Sequence, residues 1–322
     1  MVSAVNLYRP ENVTDTNSNG GRMTYNPVVT TVGGAGNLPT ITRAEQASGV
    51  TKLRKVFAKV DDGSNPAVVS GLVFLKKPSE LSDSRSFLIK GTQRDQQSAI
   101  ATRRYATGWL NANVNAGATA LVVDFETGSG ADNVVQAGDR LAIIEGTTEN
   151  LDLTVDSVVW TGDQAAITLT TGVLNNFTTN AAVASVIVDT VNVNPRFDNV
   201  VKSFSTSTFD ETTYPILTNN LGTDEQTVTL TFTSATEFSV LSDKHGTLAS
   251  GTVSTDYAPV NSLVSEPYFV IQAAAWGGTH TVGETLQFQV HPAAIPVWVG
   301  QQVYAGAGTG TDTTFFSVRL EA

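Results

Sequence analysis

The sequence predicts an all-β protein: small β-barrel or β-sandwich modules with an extended N-terminal arm. Three observations carry this expectation. Hydrophobic residues make up 41% of the 322 positions, enough for a core, while charged residues reach only 15%, against about 25% in soluble domains. Thr, Ser, Asn, Gly, Val and Ala fill the difference, a mixture that suits pleated strands and tight turns. Short alternating or apolar runs recur along the chain between turns rich in Gly, Asn, Asp and Pro. Finally, residues 93–105, rich in Gln, Ala and Arg and free of Gly and Pro, are the one place where a helix or helical turn is expected. The length favours two or three domains over one.

Residues 1–50 read as an extended arm. Between positions 12 and 42 the chain is polar and almost without periodic hydrophobics, as in Asn17-Ser18-Asn19-Gly20-Gly21 and Gly33-Gly34-Ala35-Gly36; such a segment becomes ordered by lying across a neighbour. Residues 51–110 form a basic β-rich segment with strands expected at 52–60, 68–75 and 86–90, punctuated by Asp61-Asp62-Gly63-Ser64-Asn65-Pro66 and Pro78-Ser79-Glu80. A compact module follows at 111–191. Five strands, at 120–125, 140–144, 151–160, 165–169 and 183–188, with short Gly-, Asn- or Asp-containing turns, suit a small barrel or sandwich. Residues 192–322 read as a β-sandwich-like C-terminal domain, with strands at 227–232, 237–241, 268–275, 286–290, 296–299 and 315–320. Its first two alternate polar and apolar residues, as a half-buried antiparallel sheet requires.

The chemistry that composition excludes is broad. With no cysteine, disulfides, thiolate zinc, iron–sulfur clusters and thiol catalysis are out. The three histidines, His245, His280 and His291, lack metal-ligand spacing, although His280 and His291 could meet across a hairpin. Gly306-Ala307-Gly308-Thr309-Gly310 lacks the lysine and following helix of a phosphate-cradling loop. No Gly-x-Ser-x-Gly elbow occurs, and Asp61-Asp62 and Asp210-Glu211 offer calcium ligands only as ordinary solvated turns. No catalytic residues, cofactor or metal are therefore expected. A net charge of −11 argues against nucleic acid; no apolar run is long enough to span a membrane, and the N-terminus has no signal-peptide pattern.

Charge is unevenly placed. Residues 1–104 hold 14 Lys and Arg against 8 Asp and Glu, and the remainder holds 5 against 22. The basic positions Lys52, Arg54, Lys55, Lys59, Arg103 and Arg104 are thus expected to meet acidic neighbours, including those of another copy. Trp276 and Trp298, near turns, are expected at an interface, Trp160 in a core, and Trp109 or Tyr105 as an exposed platform for host glycans.

The segment Tyr268-Phe269-Val270-Ile271-Gln272-Ala273-Ala274-Ala275-Trp276-Gly277-Gly278-Thr279, followed by His291-Pro292-Ala293-Ala294-Ile295-Pro296-Val297-Trp298 and Ala305-Gly306-Ala307, resembles the C-terminal signature of virion structural proteins from long-tailed bacteriophages, Mu-like phages and related siphophages. The resemblance spans about forty residues. It implies a non-enzymatic virion protein of the tail tip or baseplate, made in the bacterial cytoplasm, forming a trimer or hexamer and linking the tail hub to peripheral tail proteins. Capsid decoration, a minor capsid protein and a glycan-binding receptor module are the alternatives.

Overall fold

The computed structural model describes residues 4–28, 41–308 and 315–321. Nearly all of its regular structure is β, as composition and turn spacing indicate. The N-terminal part contributes β1 (Val5–Asn12), β2 (Gly20–Pro27), a short helix α1 (Arg43–Ser48), β3 (Val50–Val60), β4 (Ser70–Leu75) and β5 (Ser84–Lys90). The polar segment expected as an arm is extended but not free. β1 and β2 form a hairpin that continues the sheet through β3, and the Gly-rich stretch at 33–36 lies outside the described residues. Helix α1 had a local signal, a capping box in which Thr42 and Glu45 satisfy each other's backbone N–H groups. The expected helix at 93–105 is only a 3-10 turn at Gln97–Ala99.

The middle module is a closed barrel of six antiparallel strands: β6 (Thr107–Leu110), β7 (Ala120–Phe125), β8 (Arg140–Glu145), β9 (Thr148–Thr161), β10 (Gln164–Leu169) and β11 (Ala182–Asp189). Their order is β6-β7-β10-β9-β8-β11, closed because β11 pairs with both β8 and β6. Closure removes the sheet edges. Strict alternation decides which side chains fill it: Leu121, Val123 and Phe125 point inward with Leu141, Ile143, Ala165 and Ile167, while Ala120, Val122 and Asp124 face out. The barrel begins four residues before the composition break suggested, because β6 lies within 107–110.

Beyond the barrel, β12 (Arg196–Ser203), β13 (Thr208–Phe209), β14 (Gln226–Phe232), β15 (Glu237–Ser242), β16 (Gly246–Thr252), β17 (Val260–Asn261), β18 (Glu266–Pro267), β19 (Trp276–Gly277) and β20 (Thr285–His291) follow. Five of these make the sheet β12-β20-β14-β15-β16, whose inner face buries Val228, Leu230, Phe232, Phe238, Leu286 and Phe288. The strand expected at 268–275 is instead an irregular segment. It touches Leu217 and Tyr257 through isolated bridges and ends in a 3-10 turn at Ala273–Ala275.

The chain then leaves this sheet. At Pro292 it turns into β21 (Ala294–Val303), which inserts between β3 and β5, and β22 (Phe316–Glu321) pairs with β4. The pairing therefore draws a boundary near residue 292 that the sequence did not: 294–321 belong to the N-terminal body, not to the C-terminal sheet. That body is a sandwich, with Val56, Ala58, Val297 and Val299 of one sheet packed on Val73, Leu75 and Ile187 of the β22-β4-β11 end of the other.

Candidate functional site

The residues expected at an interface are held within the chain. Lys55 and Lys59 sit on β3 and are fully buried, Lys59 donating to the Asn220 carbonyl. Lys55 Nζ lies 2.6 Å from Asp95 Oδ1 and donates to the carbonyl of Gly21 at 2.6 Å; Lys59 pairs with Asp61. Burial pushes both amines below the usual lysine range, against the pull of these carboxylates. Lys52 is held by Asp15 at 3.0 Å and by Glu45, and Arg54 by Asp15 and the Thr14 carbonyl at 2.9 Å. Arg103 pairs with Asp139. Arg104 pairs with Asp132 at 2.8 Å while lying 4.5 Å over the Phe87 ring. The acidic neighbours of the basic third are thus carboxylates of the same chain.

The expectation for Trp298 is corrected likewise. Trp298 is wholly buried between β3 and β5, its Nε1 donating to Asp95 Oδ2 at 2.8 Å. Gly20 permits this approach: its φ is +109°, and a Cβ there would stand 2.7 Å from both the ring and the Asp95 carbonyl. Trp276 is half-buried in an aromatic cluster with Phe209, Phe232 and Phe238. The Trp298 ring leaves no surface for a neighbour, whereas Trp276 keeps part of its surface exposed. Trp160 does pack on the barrel core, tilted against Phe125.

The histidines hold separate carboxylates. His280 stacks on Phe232 at 3.8 Å and faces Glu284. Hydrogen bonds from Ser205 and Ser207 pull the Glu284 carboxyl down to about 2. His291 lies at the turn into β21, Nδ1 at 2.7 Å from Glu225 and Nε2 at 3.0 Å from Asp198. Around it runs a charged seam between the N-terminal body and the C-terminal module. There Asp224 binds Lys244 and His245, Arg94 binds Glu225 and Asp243, and Lys244 also donates to the Met23 carbonyl at 2.6 Å. The seam ties the N-terminal body to the C-terminal module.

The turn at Asp61-Asp62, expected as an ordinary solvated turn, is engaged locally, Asp61 with Lys59, Asn6 and Tyr8, and Asp62 with Ser64. Among the described residues no group of three or more His, Asp or Glu converges as for a metal, and no helix is long and apolar enough to cross a membrane.

Two recesses stay open among the described residues: one of about 260 Å³ around the Lys52 and Arg54 ion pairs with Asp15 and Glu45, and a groove of about 290 Å³ on the outer wall of the barrel. Trp109 forms one side. Strand pairing places it in a continuous outward row, Gln164–Asp124–Trp109–Ala182–Ile144–Glu149, that crosses all six strands. Ala182 and Ile144 make an apolar floor, and Lys76 and Lys77, just after β4, and Phe315, just before β22, line the other side, with the Lys77 ammonium 5.0 Å from the Phe315 ring centroid. Tyr105 lies elsewhere, half-buried with the Arg103 guanidinium 4.9 Å from its ring centroid. Trp109 was expected as an exposed aromatic; Ala182, Ile144 and Phe315 join it only through pairings distant in sequence. No protein-family model matches the chain, and no curated protein or solved structure matches it.

Proposed function

We propose that this chain is a structural virion protein of a long-tailed bacteriophage, which assembles as an oligomer at the tail tip or baseplate and links the tail hub to peripheral proteins. The resemblance at residues 268–307 motivates the placement, and one structural observation supports the assembly. Strand β16, Gly246-Thr247-Leu248-Ala249-Ser250-Gly251-Thr252, is a mostly exposed edge of the C-terminal sheet without a charge or a proline. Monomeric proteins protect such edges, because unpaired backbone groups recruit strands from other chains. An uncharged seven-residue edge suits a protein that completes its sheet with a neighbour.

Native mass measurement of the purified chain, beside cryo-microscopy of particles that carry it, tests this reading. A trimer or hexamer at the tail end is expected, and Ser250→Lys in the middle of β16 should shift it toward monomer. Density on the head would replace the tail placement with capsid decoration. A monomer absent from particles would refute the reading.

A further inference from the structure

We propose that Lys59 and Asn220 form an intramolecular isopeptide bond, made between the Lys59 amine and the Asn220 side-chain amide with Asp61 carrying the protons, which joins β3 covalently to the loop that leads into β14. This goes beyond assembly and does not depend on it. The first ground is juxtaposition. Lys59 is wholly buried, and its Nζ donates to the backbone carbonyl of Asn220 at 2.5 Å while pairing with Asp61. The residue whose carbonyl it touches carries a buried amide, and neither Oδ1 nor Nδ2 of that amide has a hydrogen-bond partner among the described residues. Buried polar groups are almost always paired, and a buried amide left without partners is destabilising. As an asparagine it contributes no hydrogen bond from its side chain; as an acyl donor it has an amine at its own backbone. No hydrogen bond holds the amide, so turning Cγ toward Nζ breaks none.

The second ground is how the site is held. Asp61 Oδ2 accepts from Asn6 Nδ2 at 2.8 Å and from the Tyr8 hydroxyl at 2.6 Å, which leaves Oδ1 on the amine. Across from it, Asn220 N donates to Asn65 Oδ1 at 2.6 Å, and Asn219 Oδ1 accepts from the N–H groups of Leu221 at 3.1 Å and Gly222 at 2.6 Å. The Tyr25 ring centroid lies 5.9 Å from Nζ, and its hydroxyl donates to the Leu221 carbonyl at 3.2 Å. Amine, amide and carboxylate are thus fixed side by side, the arrangement that turns a slow encounter into an intramolecular step. The third ground is chemistry. Burial weakens the amine's hold on its proton, which favours transfer to Asp61 and a neutral nucleophile. Nζ then adds to Cγ, the Nζ–Cγ bond forms and the Cγ–Nδ2 bond breaks. Asp61 carries the two protons that Nζ gives up, one after the other, to the leaving nitrogen, which departs as ammonium and leaves Asp61 a carboxylate. The step needs no oxidant and no further reactant.

The test is the intact mass of the purified full chain under denaturing conditions, followed by a tryptic map. A mass about 17 Da below that of the sequence, the loss of one ammonia, is expected, with no cleavage after Lys59 and a branched peptide joining Lys59 to Asn220. Lys59→Arg and Asn220→Ala should each restore the full mass, and Asp61→Asn, folded by circular dichroism, should link about a hundredfold more slowly. Full mass with ordinary cleavage after Lys59 in the folded wild type would overturn the proposal, whatever the variants do. A mass loss that survives Lys59→Arg would overturn it too, because that loss belongs to an asparagine closing on its own backbone. An Asp61→Asn chain that folds and links at the wild-type rate would remove Asp61 from the reaction.

Discussion

Replacing Trp298 separates a core role from an interface role. The side chain is wholly buried and lies against Gly20 with no room for a Cβ between them. It donates 2.8 Å to a carboxylate and sits 5.9 Å from the Lys55 ammonium. Truncation of a buried aromatic to alanine costs about 3–5 kcal/mol, nearer the upper end where the surroundings cannot collapse. Here β3 and β5 hold the strand on both sides, so collapse is restricted. Trp298→Phe keeps most of the ring and its contact with Lys55 but removes the N–H donor, and a hydrogen bond to a charged group contributes about 1.5–3 kcal/mol. Urea unfolding followed by far-UV circular dichroism should rank wild type above Trp298→Phe above Trp298→Ala, with about 2 kcal/mol between the two variants. The reasoning fails if both variants unfold with the wild type. It fails equally if they change only the oligomer mass, since that outcome belongs to a residue at an intermolecular contact.

Two further perturbations read other parts of the fold. Burial lowers the His291 pKa, but the hydrogen bond and charge of Glu225, with Asp198, outweigh it and hold the value above the usual histidine range. The folded state therefore binds this proton more tightly than the unfolded chain. The resulting stability is complete below about pH 6.5 and lost as pH rises through the folded value. Melting temperatures from pH 5.5 to 8.5 should carry this loss in the wild type and lack it in His291→Gln; parallel curves would contradict the assignment. Gly130→Ala should destabilise the barrel by about 3 kcal/mol, because its Cβ would stand 1.9 Å from the Gly162 carbonyl oxygen, whereas Gly117→Ala, with nothing within 4 Å but a positive φ, should cost about 1 kcal/mol. Thermal melts of the two variants check that order.

Five of the six barrel strands were legible, because alternation is local: Leu121, Val123 and Phe125 are written into six consecutive residues, and β7 spans the range the pattern predicted; β6, four residues long, was not. The burial of Lys55 and Lys59 was not legible either. They were expected to meet acidic neighbours; that both amines are wholly buried, and that Lys55 finds its carboxylate forty residues away at Asp95 while Lys59 uses nearby Asp61, comes only with the fold. The insertion of β21 was equally invisible, since nothing in Ala294-Ile295-Pro296-Val297-Trp298-Val299 specifies β3 and β5 as its partners. Periodicity identifies a strand and says little about its neighbours. For the groove, Trp109 was visible as a candidate, while its opposite wall came from Lys76 and Lys77 just after β4 and Phe315 just before β22.

The position of β21 has a consequence for how the protein is made. β3 bonds to it along ten residue pairs, from Val50 opposite Val303 to Lys59 opposite Ala294, and β5 along seven. During synthesis both strands leave the ribosome early, and their facing backbones find no partner until residue 303 has emerged. The barrel and the β12-β20-β14-β15-β16 sheet draw only on residues made before that point, so the body translated first is the last to close. In that interval the nascent chain carries two unsatisfied strand edges, where non-local closure is slow and misassembly competes. Its yield in a cell will be governed by protection of those edges before the tenth strand residue of β21 arrives.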